Sequence, residues 1–385
     1  EMLRSLVGSE MCIRDRPNGE PTSIDGIIGY AVREAPIYAG QKSDGSFGYQ
    51  DNYSPEAWLA SESFVQNISR NISASGQLRW ETPLKGLSLT GKAGVTYYTK
   101  YDKSYRAETY FDENKTIGPS TLNIWTSNNT NTILEALANY ERTFGSHDLK
   151  ILVGTSVEQT SNKGLEGYRN TFPNNSLYEL GAGDASTATN NSSLEEYALV
   201  SFFGRVNYAF KDRYLLEANL RYDGSSRFAK DNRWGIFPSV SAGWRISEEN
   251  FWRNARIGEV FNNLKLRASY GVLGNQNIGV YPYQQTYDLG HNYPLGNPAT
   301  LVPGTYVSTY RNPEITWEKT AITNVGLDFG LFNNTLSGSI EYFYKYTSDI
   351  LAPVEVTGII GQSVGESNVG AVSNKGIEVN LSYNG

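Results

Sequence analysis

Side chains able to do acid–base, nucleophilic or metal chemistry are few in this 385-residue chain, and their spacing is poor. The adjacent carboxylates Glu195-Glu196 and Glu248-Glu249 are of the right type for a general acid and base. Neighbours on a strand, however, point to opposite faces, and neighbours in a helical turn usually face solvent. His147 and His291 stand far apart without flanking ligands, and Cys12 is the only cysteine. A disulfide framework and a Cys-based zinc site are therefore ruled out. Asp51, Asp102 and Asp112 fall in polar segments that lack the ligand spacing of a calcium loop. No nucleophile elbow or Ser/His/Asp arrangement is present. These residues point away from an enzyme, and no motif asks for a cofactor or a metal. With 40 Asp+Glu against 33 Lys+Arg, the net charge of −7 also argues against a nucleic-acid-binding surface.

The informative side chains are aromatic and alternating. Tyr, Phe and Trp make up 13% of the chain and charged residues only 19%, so a disordered polyelectrolyte is excluded. Tyr214, Leu216, Ala218, Leu220 and Tyr222 alternate with Leu215, Glu217, Asn219, Arg221 and Asp223, which is the two-residue period of an amphipathic strand. Similar stretches recur from residue 72 to residue 383, and they add up to roughly a dozen strands. On their polar sides lie Arg205, Glu217, Asn219, Arg221, Asp223, Arg245 and Arg267, the candidates for lining a watery interior. Trp80, Tyr97, Tyr140, Tyr208, Tyr214, Tyr222, Trp244 and Tyr344 fall near the strand ends, where a ring can be buried and its polar atom kept wet.

The connections alternate between short turns, such as 82–86, 143–147, 210–213 and 332–334, and long polar links near 100–130, 159–195, 274–313 and 347–366. Short turns on one side and long loops on the other are the pattern of an outer-membrane barrel. Ser247 to Trp252 breaks this rule and reads as the start of a short helix on the short-turn side. Aromatics in the long links, among them Trp125, Tyr168, Tyr178, Tyr283 and Tyr287, are candidates for substrate contact. No apolar run approaches the roughly 18 residues of a spanning helix, which leaves a barrel open because barrels cross with alternating strands. The fold class read from the pattern is all-β, an antiparallel transmembrane barrel. The competing reading is a soluble or surface-displayed β-rich carbohydrate-binding protein or adhesin. Residues 1–16 match nothing downstream and read as a non-native leader without a signal peptide. Residues 17–70 read as a loop-rich entry segment, and 71–385 as barrel.

From Phe202 a run of motifs narrows the choice. Phe202-Phe203-Gly204-Arg205-Val206-Asn207-Tyr208 is followed by Arg221-Tyr222-Asp223-Gly224-Ser225-Ser226-Arg227-Phe228 and by Phe237-Pro238-Ser239-Val240-Ser241-Ala242-Gly243-Trp244. Then come Leu264 to Gln276, Asn312-Pro313-Glu314-Ile315-Thr316-Trp317-Glu318-Lys319 and Asn374-Lys375-Gly376-Ile377-Glu378. In this order they resemble the SusC/RagA family of TonB-linked outer-membrane transporters of Bacteroidetes, over nearly all of residues 20–385. The resemblance implies a 22-stranded barrel closed by an internal plug. It also implies import of oligosaccharides, peptides or similar nutrients, a SusD-like surface lipoprotein acting as a lid, and energy from the TonB–ExbB–ExbD complex. At about 30 residues per strand and loop such a barrel needs roughly 650 residues. The chain is therefore expected to hold about half the barrel wall, with plug and TonB box missing.

Overall fold

Alternating β-branched, aromatic and polar residues form strands because each pleat sends successive side chains to opposite faces. In the computed structural model, among the described residues, twelve such strands form one sheet, each hydrogen-bonded to the next in chain order and antiparallel to it. The strands are β1 (Ser9–Asp15), β2 (Phe64–Glu81), β3 (Leu87–Arg106), β4 (Thr121–Phe144), β5 (His147–Asn170) and β6 (Thr189–Phe210). They continue as β7 (Tyr214–Ser225), β8 (Trp234–Arg245), β9 (Phe261–Asn275), β10 (Glu318–Leu331), β11 (Leu336–Ser348) and β12 (Ala371–Tyr383). The structure describes residues 9–15, 29, 31, 32, 35, 37, 38, 40–50, 54–307, 309–357, 359 and 361–385. Asp51 lies outside the described residues. Among the described residues no helix is long and apolar enough to cross a membrane, which says nothing about crossing by strands.

Two features differ from the sequence reading. Ser9–Asp15, set aside there as part of a leader, pairs with β2 from Ser9 opposite Asn71 to Asp15 opposite Val65. An open sheet edge offers free donors and acceptors to any extended segment, whatever its side chains. The second difference is height. β2 to β6 run 18 to 24 residues, whereas β7 to β12 run 12 to 15. Much of the segments read as loops at 100–130 and 159–195 is therefore strand, and only 107–120 and 171–188 leave the sheet. The expectation failed there because Asn128-Asn129-Thr130-Asn131 is polar on both faces, so a two-residue period has no contrast to show.

The short-turn side behaves as its residues dictate. Gly86 and Gly145 take positive φ values of 89° and 60°, which glycine adopts without penalty. A Cβ at Gly86 would stand 2.2 Å from the Glu141 carbonyl oxygen, so this turn accepts no larger residue. The link between β8 and β9 holds a short 3₁₀ turn and two short helices, α1 (Asn250–Arg253) and α2 (Arg256–Val260).

Two small cores organise the long-loop side. Phe64, Tyr105, Leu122 and Phe172 pack together where the 171–188 segment folds over the top of β2 to β4. Phe228, Phe237, Ile278, Ile315 and Trp317 form the second, where the 226–233 and 276–317 links meet.

Candidate functional site

The register sorts the sheet into two faces. On one, Trp244 is opposite Leu266, Leu266 opposite Leu327, Leu327 opposite Ile340 and Ile340 opposite Val379. A parallel row runs Trp80, Leu89, Ala138, Val153, Gly204, Leu220 and Pro238. These side chains are not buried against protein: Leu78 is 84%, Leu134 59%, Val153 58% and Leu220 53% exposed. An apolar face this wide calls for lipid or another apolar partner. Rings cluster along it, with Tyr214 stacked near Trp244 at 6.5 Å and Tyr222 on Trp234 at 4.5 Å.

The opposite face holds all seven candidate lining residues. Arg205 is opposite Asn219, and Glu217, Asn219, Arg221 and Asp223 alternate along β7 on that side. Asn219 Nδ2 donates to Glu217 Oε1 at 2.9 Å and to Ser239 Oγ at 3.2 Å. Arg221 binds both Asp223 oxygens and Ser201 Oγ, and its guanidinium lies 5.1 Å from the centre of the Phe203 ring. Arg267 reaches Asp328 at 3.2 Å and Glu341 at 2.6 Å. Arg245 donates to the Asp212 carbonyl in the short turn, while Arg205 stands exposed. A hollow of about 430 Å³ opens on this face beside Lys150, Asn207, Glu217, Lys265 and Arg267. Among the described residues no three His, Cys, Asp or Glu side chains gather as metal ligands would.

The five aromatic loop candidates do not meet in one place. Trp125 and Tyr168 lie on the polar face of the tall strands, opposite Glu166 and Asn123 respectively. Tyr178 packs on the other side, against Phe64 at 5.1 Å and Tyr105 at 5.8 Å. Tyr283 donates to the Ser226 carbonyl at 3.3 Å, and Tyr287 is 63% exposed on the 276–317 link.

Sequence reasoning missed what the motif residues do together. Phe228, Phe237, Ile315 and Trp317, drawn from three motifs, make one loop-side core. Trp317 Nε1 donates to the Arg233 carbonyl at 2.9 Å. Asn312 Nδ2 reaches the Glu366 carbonyl at 3.1 Å, and Asn368 Nδ2 reaches the Thr316 carbonyl at 2.8 Å. The motifs fix how the long links sit on the sheet. An Asn-Pro-Glu turn beside an aromatic is the only local signal of this.

Comparison with known proteins agrees with this geometry. The model of the family described as TonB dependent receptor-like, beta-barrel matches residues 16–384. The TonB-dependent receptor SusC of Bacteroides thetaiotaomicron is 36% identical over 251 residues, covering 63% of this chain and 24% of that protein. TonB-dependent receptor P3 of Formosa agariphila is 30% identical over 359 residues, covering 92% of this chain and 35% of that protein. Among solved structures, the RagAB peptide transporter superposes with a TM-score of 0.76 at 26% identity, covering 88% of this chain and 38% of the matched one. The chain thus spans 24% to 35% of the length of these curated relatives. It belongs to the TonB-dependent receptor-like β-barrel family of the outer membrane and is of the SusC/RagA type.

Proposed function

We propose that this chain is wall and rim of an outer-membrane importer that takes up oligosaccharides or peptides. The observation that carries this reading is the two-faced sheet: exposed Leu, Val and aromatic side chains on one face, and hydrogen-bonded Arg, Asn, Asp and Glu on the other. A wall of that kind separates lipid from a wide aqueous passage. The relatives' names supply the energy source, TonB, and the assembly named RagAB supplies the precedent for peptide transport with a second component. In this reading a SusD-like lipoprotein covers the long-loop side, and a plug worked by TonB–ExbB–ExbD opens the passage. The seven polar-face residues touch plug and passing substrate. A soluble adhesin or carbohydrate-binding protein fits less well, because it would leave a face with Leu78, Leu134 and Leu220 more than half exposed in water.

The test is deletion of the gene in its host, followed by growth on single nutrients and fractionation of the tagged full-length protein. Growth lost on one nutrient class, and lost equally when TonB is removed, supports the importer. Recovery of the protein from the soluble periplasm overturns it.

A further inference from the structure

On the short-turn side the edge of the lipid is marked by rings of the apolar face whose polar atoms have partners. Tyr214 is opposite Trp244, and both donate to the Glu249 carboxylate. Tyr208, opposite Leu149 and Leu216, has its hydroxyl 2.7 Å from His147 Nδ1. A ring among acyl chains with its polar atom turned to a wet group is how Tyr and Trp sit at headgroup level. Leu84, Phe251 and Phe332, in the other short links, are exposed apolar side chains, so this rim as a whole calls for apolar surroundings.

At the ends of β4, β5 and β6 the same face carries cations. Phe144, His147 and Phe210 are in register across the three strands, and the His147 ring lies 4.7 Å from that of Phe210. Phe144 and Phe210 are thus two strand spacings, about 10 Å, apart. The Arg142 guanidinium lies 4.8 Å from the centre of the Phe144 ring, and Lys211 Nζ lies 5.2 Å from that of Phe210. Among the described residues neither cation forms an ion pair, and Arg142 uses one donor on the Tyr140 hydroxyl at 3.4 Å. The nearby acids are engaged or placed elsewhere. Glu141 and Asp148 alternate onto the polar face, where Asp148 accepts from the Thr143 hydroxyl at 3.3 Å. Asp212 is exposed in the turn and makes no ion pair with Lys211. A Cβ at Gly145 would meet nothing within 4 Å, so the space beside the 143–147 turn is open.

We propose that the short-turn rim of β4 to β6 is a binding site for an acidic phospholipid, with Arg142 and Lys211 holding headgroup phosphate and Phe144 and Phe210 packing on the acyl chains. Short turns of such barrels face the periplasm, and the leaflet on that side is phospholipid. The site is continuous with the apolar face of the sheet, so its occupant has an apolar body and an anionic head. A guanidinium binds two phosphate oxygens at once, and an ammonium binds them as a point charge. Phosphatidylcholine brings its own quaternary ammonium to the headgroup and offsets the attraction. Phosphatidylglycerol and cardiolipin bring phosphate without a cation. The site follows from the lipid-facing side of the sheet and stands whatever nutrient the barrel passes.

The test uses the full-length protein purified from outer membranes and stripped of lipid in a neutral detergent. Phosphatidylglycerol, cardiolipin and phosphatidylcholine are added back one at a time, and native mass spectrometry reads the lipid bound. Heat-modifiable gel mobility verifies that each variant remains folded. The unaltered protein is expected to hold the two acidic lipids more tightly than phosphatidylcholine. Arg142→Gln and Lys211→Gln are each expected to weaken acidic-lipid binding about fivefold, and the two together about thirtyfold. Arg142→Lys keeps the charge and is expected to keep the preference. Lys150→Gln removes a cation from the polar face of β5 and is expected to change nothing. Equal binding of all three lipids by the unaltered protein overturns the site. So does an undiminished preference in the folded double variant, or in both single variants where the double does not fold. A loss in Lys150→Gln as large as that in Arg142→Gln also overturns it, because net charge rather than this rim would then set the preference.

Discussion

Arg267 and Glu341 sit on strands that are not neighbours, yet Arg267 Nη2 lies 2.6 Å from Glu341 Oε2. The strand between them contributes Gly326, the register partner of both residues. A Cβ at Gly326 would stand 2.8 Å from the Arg267 guanidinium carbon, so the arginine crosses β10 only because this residue has no side chain.

Gly326→Val is therefore expected to push Arg267 away from Glu341 and to cost about as much as Glu341→Gln. That cost is about 1 kcal/mol for a pair still partly wetted, with side chains 32% and 20% exposed. Combining the two substitutions is expected to add little to either alone, because both remove the same contact. Denaturant unfolding of the refolded barrel in micelles measures all three. Additive losses would show that Gly326 matters for another reason.

The orientation of the sheet is tested by one pair of neighbours. Leu220 points to the apolar face, between Gly204 and Pro238, and Asn219 points to the polar one. Leu220→Arg is expected to cost about 2–4 kcal/mol if it meets lipid near the midplane. Asn219→Arg is expected to cost under about 1.5 kcal/mol, the worth of the hydrogen bonds lost to Glu217 and Ser239. Folding yield into lipid vesicles, read by gel mobility, compares the two. Equal losses would mean that the faces are not lipid and water.

The lower part of the wall was legible because Tyr214 to Asp223 alternates cleanly between lipid and water. The upper wall was not, because from Asn128 to Asn131 both faces are wet and periodicity carries no information. The loop-side core was hidden for a different reason. Phe228 and Trp317 lie 5.3 Å apart in space but far apart in sequence, and nothing local announces that pairing. The carboxylate pair Glu248-Glu249, weighed as an acid–base pair, separates into two contacts. Glu248 pairs with Arg253, while Glu249 turns to the sheet.

Glu249 gathers three donors: Tyr214 Oη at 2.6 Å, Arg213 Nη1 at 3.0 Å and Trp244 Nε1 at 3.2 Å. The hydrogen bond from Tyr214, then that from Trp244, holds its carboxyl below the usual carboxylate range. These contacts tie the helical link to the ends of β7 and β8. Glu249→Ala leaves the indole N–H and the Tyr214 hydroxyl without this acceptor. Faster trypsin cleavage after Arg253 and Arg256 is expected, with barrel mobility on gels unchanged. Cleavage at the wild-type rate would show that the link is held by something else.

On the long-loop side, Lys42 Nζ lies 2.5 Å from Asp112 Oδ2, and Phe47 N–H donates to the Phe111 carbonyl at 2.9 Å, so the 40–50 segment is clamped to the 109–117 hairpin. The Lys42 hydrogen bond lowers the Asp112 carboxyl, and the same bond raises Lys42. A lowered carboxyl stabilises the folded form above its unfolded pKa and loses that effect as pH falls through the folded value. A raised lysine stabilises below its ordinary pKa and loses that effect only as pH rises through the higher one. The clamp is thus expected to hold across the neutral range and to open on acidification below the ordinary carboxylate range. Hydrogen exchange at the Phe47 amide, corrected for intrinsic rate, is expected to quicken there. Asp112→Asn is expected to show the fast rate already at neutral pH and to lose the acid limb. An acid limb that survives in Asp112→Asn would assign the opening to a different group.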